Sequence, residues 1–389
     1  MVITFVSNFL NHHQLFLCND FIELCDEFYF IATEEIPEKT RKFGYEDMNN
    51  NAFVIKAYEN EEQNQKSIEK ILTSDIVIFG SCPDEFIRLR MEKNKLSFLF
   101  TERFFKKGLW RRFIPPTRKK VINRIVKYKK NELYVLCASG YVSFDLHMCG
   151  FNGKCIKWGY FPEVKKQDIH QLMLNKKNNK TKLLWAGRFI DWKNTKDALE
   201  VAKRLKSDGY SFEMEVIGNG DCEEEIKSLL KKYNLSDCVF LLGSMAPEKV
   251  RGYMEKANIY LFTSSFQEGW GAVLNESMNS GCAVVASHAI GSVPYLIQNG
   301  KNGLIYKYGD NNDLYNKVKY LLENPEKQQE FGIGAYHTLL YTWNSNVASK
   351  RLINISQQLL AGQALKLYEE GPCSNAEIIT NNWFIGENN

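Results

Sequence analysis

Short apolar runs punctuate the first 160 residues. Segments 2–7 (VITFVS), 28–33 (FYFIAT), 52–56 (AFVIK), 75–80 (DIVIFG), 96–101 (LSFLFT) and 133–138 (LYVLCA) are rich in β-branched and aromatic residues, which predicts buried strands. Between the third and fourth, 60–72 places Ile68, Ile71 and Leu72 on one side and predicts a helix. Alternation of this kind predicts a parallel sheet covered by helices on both faces. The stretch 103–132 breaks the rhythm.

A polar run, KKNNK at 176–180 within 160–182, predicts an interdomain linker. Beyond it the pattern is regular. Strands at 182–187, 212–218, 239–243, 259–264, 282–287 and 303–307 alternate with helices at 194–207, 222–233, 247–257, 271–280 and 311–323. Six strands with intervening helices predict a second doubly wound sheet with right-handed crossovers. The expected architecture is therefore α/β: an N-terminal Rossmann-like domain over 1–162 and a C-terminal one over 178–344. A further helix at about 345–365 and a tail at 366–389 follow. In such folds ligands bind at the carboxyl ends of the strands, so a cleft between two facing domains is the expected site.

Composition narrows the class without changing this picture. The 389 residues are 44% apolar and 25% charged with only 9 Pro, which excludes low-complexity, collagen-like and mucin-like chains. No apolar run approaches the ~20 residues of a membrane-spanning helix. The opening MVITFVSNFLN lacks the basic start of a secretion signal and reads as the first strand. Ten cysteines scattered from Cys18 to Cys373, none in CxxC spacing, point to reduced thiols and a cytoplasmic setting.

Net charge is only +4, but its distribution is uneven. Residues 103–130 (RFFKKGLWRRFIPPTRKKVINRIVKYKK) hold twelve Lys or Arg and no Asp or Glu, leaving 38 basic against 46 acidic residues elsewhere. Phe104, Phe105, Trp110, Phe113, Ile114, Ile122, Ile125 and Val126 interleave with these cations, so the segment is a candidate surface for anionic lipid. The competing expectation puts Val121, Ile122, Ile125 and Val126 on a core-facing helix stripe.

The strongest chemical signal is 266–281, FQEGWGAVLNESMNSG, which follows a strand and opens a helix at Gly271. A helix start presents unpaired N–H groups to an anion, and Gly269 and Gly271 permit close backbone approach. Glu268 and Glu276 flank this start. On the same rim, GRFIDWKN (187–194) carries Arg188 and Lys193, a fork and a point charge suited to a diphosphate. Gly218-Asn219-Gly220 and Gly243-Ser244 add turns after the next two strands.

GRFIDWKN, VIGNGD, FLLGS, SSFQEGWGAVLNESMNSGCAVVAS and GSVPYLIQNGKNGLIY resemble, in order, the C-terminal domain of family 4 retaining glycosyltransferases (glycosyl transferases group 1), which have the GT-B fold. The likeness is close over about 181–345, and the helix at about 345–365 resembles the family's last one, which implies that it returns to the first domain. It implies transfer of a hexose-type sugar from a nucleotide-sugar donor, most often UDP-linked, to a glycan or polyprenyl-linked acceptor with retention of configuration, in surface polysaccharide or glycolipid synthesis. It implies that Arg188 and Lys193 hold the diphosphate and that Glu268 contacts the donor sugar. Glu276 would bind the ribose, the N–H groups of Gly271, Ala272 and Val273 would cap the diphosphate, and Gly218, Leu242 and Gly243 would line the nucleotide. Glu268, Arg188 and Lys193 form the implied catalytic group. On the acceptor side His12, His13, Glu102 and Arg103 are the candidates, since 7–14 (SNFLNHHQ) lacks the family's glycines and Thr101-Glu102-Arg103 stands where a family histidine often follows. No Asp-x-Asp occurs in the chain, so no metal and no cofactor are expected. The family's lipid-linked acceptors make a peripheral position on the inner face of the cytoplasmic membrane the expected location. The rival readings are a sugar-nucleotide 2-epimerase or phosphorylase of the same fold and, more remotely, a nucleic-acid-binding protein.

Overall fold

The computed structural model describes residues 1–38, 47–177 and 180–385. The chain divides into two compact units, one of Met1–Glu163 with Trp343–Thr380 and one of Val164–Thr342 with Asn381–Asn389.

The first unit is built on a seven-stranded sheet with strands β1 (Val2–Ser7), β2 (Glu27–Ala32), β3 (Val54–Lys56), β4 (Ile76–Phe79), β5 (Ser97–Thr101), β6 (Leu133–Cys137) and β7 (Cys155–Lys157). Their order is β3-β2-β1-β4-β5-β6-β7, all pairings parallel. The order reverses direction after β1, which is where open α/β sheets leave a crevice. The stretch 7–14 is a connection only as far as Asn11: helix His12–Leu24 starts on an Asn11 cap and buries Gln14, Leu17, Cys18 and Phe21, one stripe at helical spacing. The returning helix is Ser345–Leu360, capped by Asn344; it packs on His12–Leu24, with Asn346 Nδ2 donating to Asp20 Oδ1 at 3.1 Å.

The second unit carries six parallel strands, β8 (Thr181–Ala186), β9 (Phe212–Ile217), β10 (Val239–Gly243), β11 (Ile259–Phe262), β12 (Ala283–Ser287) and β13 (Leu304–Tyr306), in the order β10-β9-β8-β11-β12-β13. Again the order reverses, here after β8, so the connections that follow β8 and β11 lie side by side on the carboxyl rim. Helices such as Thr195–Ser207 and Asn311–Glu323 cover the sheet; Leu199, Ala202, Leu314 and Val318 join Leu183, Met214 and Val285 in its core.

Three expectations need correction. The 160–182 linker is mostly part of the second unit, because helix Ile169–Asn175 buries Leu172 and Met173 against Tyr336. The polar pair 178–179 of that run lies outside the described residues. The tail, expected as one piece, is divided: residues up to Thr380 belong to the first unit and the rest to the second. Backbone pairing is the reason for its first half, where Ala376 N donates to Cys155 O at 3.1 Å and Lys157 N donates to Ser374 O at 2.8 Å, covering the β7 edge.

The basic segment also differs from its expectation as a continuous surface. Phe105, Ile125 and Val126 are core residues, and Phe104 and Ile122 pack against them. Arg103 is fully buried. Its guanidinium pairs with Asp145 at 3.1 Å, and the same carboxylate accepts the backbone N–H groups of Phe104 and Phe105. Burying this charge is tolerable only because its partner and those extra bonds are present. Arg103 is thus a strut inside the first unit, not an acceptor-side contact.

Candidate functional site

Two connections on the second unit's rim build the site. The one after β8 runs from Gly187 to Asn194. The one after β11 runs from Thr263 to Ala272. Three hydrogen bonds staple them, Ser265 N to Trp192 O at 2.9 Å, Asn194 Nδ2 to Thr263 O at 3.1 Å and Thr263 Oγ1 to Lys193 O at 2.8 Å, and Trp185 Nε1 of β8 adds a bond to Thr263 Oγ1 at 2.9 Å. Two loops of different strands therefore behave as one platform.

On this platform Lys193 Nζ makes an ion pair with Glu268 Oε2, and Ser264 Oγ donates to the same oxygen at 2.9 Å. Glu268 is buried, yet both partners are satisfied, as a desolvated charge requires. Lys193 and Arg188 are accordingly not two equivalent loop cations. Arg188 is exposed, and no acidic side chain pairs with it among the described residues.

The turn beyond Glu268 is locked from behind. Trp270 is buried, its Nε1 donates to Asn275 Oδ1 at 2.9 Å, and its carbonyl accepts Ser292 Oγ at 2.6 Å. Gly271 has φ +82°, and a Cβ there would lie 2.4 Å from the Phe262 ring, so no other residue fits. The helix begins at Val273, not at Gly271, and runs only to Asn279 with Ala272 as its N-cap. That places Glu276 in its first turn instead of its second. Burial pushes the Glu276 carboxyl up to about 7; Arg251 partly offsets this, and Glu248 adds to it. Gly218 and Gly243 meet on the neighbouring rim, where Gly218 N donates to Gly243 O at 2.9 Å, and Leu242 is half-buried beside them.

In the first unit, His13 and Glu102 come together around a residue the sequence did not single out. The His13 ring lies 3.7 Å from that of His12 and 5.9 Å from Tyr160, and Glu102 hydrogen-bonds the Tyr160 hydroxyl. Burial and then Glu102 push Tyr160 well above its ordinary value. His13 Nδ1 is buried without a partner, and burial, with His12 beside it, lowers the ring to about 3. His13 is therefore neutral at physiological pH. Glu102 also pairs with Lys106.

Residues 166–338, all within the second unit, match the family model for glycosyl transferases group 1. The match takes in 173 of the 389 residues and nearly the whole of the second unit's continuous stretch. Among curated relatives, the amylovoran biosynthesis glycosyltransferase AmsK of Erwinia amylovora is 28% identical over 183 residues, 46% of this chain and 45% of that protein. The N-acetylgalactosamine-N,N'-diacetylbacillosaminyl-diphospho-undecaprenol 4-alpha-N-acetylgalactosaminyltransferase of Campylobacter jejuni is 30% identical over 150 residues, 38% of this chain and 39% of that protein. The matched stretch thus spans less than half of each of these relatives. Among solved structures, Anabaena HepE in complex with UDP aligns with a TM-score of 0.66 at 15% identity, covering 93% of this chain and 99% of that one. At that identity the likeness concerns the fold, which is the GT-B fold expected from the sequence. The group 1 match ends at residue 338, just before the chain leaves the second unit at Thr342.

Ser264, Trp270 and Ser292 were not legible as site residues, because each acts on another side chain or a backbone group and carries no motif of its own. Among the described residues no three of His, Cys, Asp and Glu cluster as a metal site would.

Proposed function

We propose that this protein is a retaining glycosyltransferase that takes a hexose-type sugar from a UDP-linked donor and delivers it to a glycan or lipid-linked acceptor. The observation that carries the reading is the stapled platform itself. It sets Lys193 and Glu268 beside a glycine turn with free N–H groups, leaves Arg188 exposed next to them, and places Glu276 one helical turn on. Cations and N–H groups suit a diphosphate that gains charge as the sugar leaves. Carboxylates suit hydroxyls: Glu276 those of a ribose, Glu268 those of the sugar. The UDP bound by HepE and the undecaprenol-linked substrate in the name of the Campylobacter relative support the donor and acceptor classes. His13, Glu102 and Tyr160 are the groups offered to an acceptor.

A thermal-shift panel of nucleoside diphosphates and UDP-sugars is the direct test. At 100 times its dissociation constant a ligand stabilises by ~2.7 kcal/mol. UDP and one UDP-sugar are expected to raise the melting temperature, with the same shift in EDTA, because the protein's own cations hold the diphosphate. A panel without any shift overturns the reading, and a shift that EDTA abolishes overturns its metal-free form.

The acceptor class has a counterpart on the first unit's surface. Among the described residues no helix is long and apolar enough to cross a membrane. What the basic segment does expose is a 3-10 turn, Leu109–Phe113, whose Trp110 and Phe113 are 60% and 69% solvent-accessible. Arg112 lies over the Phe113 ring at 4.6 Å, and Lys107, Arg118, Lys119 and Lys120 are exposed around the turn. Two aromatic side chains ringed by exposed cations suit the headgroup layer of an anionic leaflet, the inner face of the cytoplasmic membrane in this reading. Vesicle co-sedimentation at low salt is expected to require anionic lipid, to weaken as salt rises, and to fall at least fivefold in the variant W110S/F113S. Equal recovery with neutral and anionic vesicles removes the membrane claim and leaves the transferase reading intact.

A further inference from the structure

The last described residues of the chain lie against His288, and His288 in turn meets Phe266 of the loop that carries Glu268. His288, at the end of β12, is only 5% exposed and stands at the centre of this contact. Its Nδ1 accepts Tyr308 N–H at 2.9 Å, so Nε2 carries the proton and donates to the backbone oxygen of Asn381 at 3.1 Å. Both ring nitrogens are thereby committed, one to the body of the unit and one to the tail. Around the imidazole, Trp383 and Phe384 lie at 6.5 and 6.1 Å between ring centroids. On its other side Phe266 meets it edge-on at 5.5 Å and Tyr308 at 5.9 Å. Phe266 is two residues before Glu268 in the same short loop.

The loop therefore has two anchors of different origin. The Trp192 carbonyl and Lys193 hold it to the connection that follows β8. On the other flank Phe266 is held by the cluster that the tail completes. Nothing in the group 1 match accounts for this second anchor, since that match ends at residue 338 and the clasp is formed by residues 381–384.

We propose that Asn381–Phe384 form a C-terminal clasp that, through His288 and Phe266, positions the Glu268 loop. Trp383 and Phe384 are positioning residues: they act through the His288 ring. The consequence for sugar transfer, a carboxylate fixed where the donor sugar would lie, rests on the function proposed above. The clasp itself does not.

Hydrogen–deuterium exchange on the full-length protein separates the two. Three amides report on the loop: Ser265 N–H on Trp192 O, Gln267 N–H on Ser265 Oγ at 3.3 Å, and Glu268 N–H on Ser265 O at 3.0 Å. In W383A/F384A, and in a chain ended after Thr380, these amides are expected to exchange at least tenfold faster than in the wild type. Helix Thr195–Ser207, which shares the core but not the clasp, serves as the control and keeps its protection. The aromatic-conserving variant W383F/F384Y restores slow exchange. Unchanged loop protection in W383A/F384A overturns the proposal. So does faster exchange in loop and control helix together, which is general loosening of the unit. No substrate is needed, so a failed donor assignment leaves this result readable, and the reverse also holds.

Discussion

Replacing Arg188 with alanine is expected to slow sugar transfer by on the order of 100-fold and to leave the melting temperature unchanged. The two halves of that expectation come from one observation. Arg188 is exposed and has no acidic partner among the described residues, so the fold loses nothing when the guanidinium goes. A diphosphate gaining charge in the transition state would lose a forked donor. Lys193→Ala makes the contrast. Lys193 pairs with buried Glu268, so its removal leaves a desolvated carboxylate held by the Ser264 hydroxyl. That variant is expected to lose both turnover and thermal stability. Steady-state kinetics beside calorimetric melting curves check both. Wild-type turnover in folded Arg188→Ala overturns the diphosphate assignment.

Glu276→Gln is expected to stabilise the free protein at pH 8 and to weaken nucleotide binding about 10- to 100-fold. The carboxyl ionises near 7 in the folded chain against an ordinary 4.5. Between those values the folded state keeps a proton that the unfolded chain has released, so stability falls as pH rises through the window. The full cost, on the order of 1–3 kcal/mol, is present above about pH 7 and absent below 4.5. Glutamine cannot ionise. The variant should match wild type at pH 4 and melt several degrees higher at pH 8. Its affinity falls because hydrogen bonds to a charged acceptor contribute ~1.5–3 kcal/mol and an amide oxygen replaces only part of that. Melting curves at the two pH values test the first claim and titration calorimetry with UDP the second. Equal melting at pH 8 removes the buried-carboxylate argument, and undiminished affinity for UDP removes the ribose role.

The second sheet was legible because its strands are apolar runs or, in β9 (FEMEVI), an alternating one, bounded by glycine or polar turns, and because helices such as Thr195–Ser207 carry a one-sided stripe. In the first unit, β7 escaped notice: three residues, Cys155–Lys157, are too few to show a period. Helix His12–Leu24 did show one, at Gln14, Leu17, Cys18 and Phe21, but it opens on two histidines directly after a strand and reads as a loop. Helix Pro325–Tyr341 was hidden by glycines at 332 and 334, which argue against helix when read alone. The structure shows why one is there: a Cβ at Gly332 would lie 2.3 Å from the Gly281 carbonyl oxygen. Of the site, Arg188, Lys193, Glu268 and Glu276 were legible as charged residues at strand ends. That Lys193 would be taken up by Glu268, or Arg103 by Asp145, depends on partners 75 and 42 positions away, which no local pattern encodes.

The division of the chain between the units bears on how it is made. Met1–Glu163 is completed only by Trp343–Thr380, and the whole of 164–342 is synthesised in between. At ~5–20 residues per second, translation takes roughly 10–40 s to cross that interval. Throughout it the His12–Leu24 helix waits without Ser345–Leu360, whose Ala348, Leu352 and Ile355 are buried in the finished protein. The second unit's sheet is contiguous in sequence and can close on the ribosome first. The N-terminal half, although it emerges earlier, receives its last helix only after that sheet is made and exposes an apolar seam until then, so the nascent chain's demand for chaperones falls on its first unit.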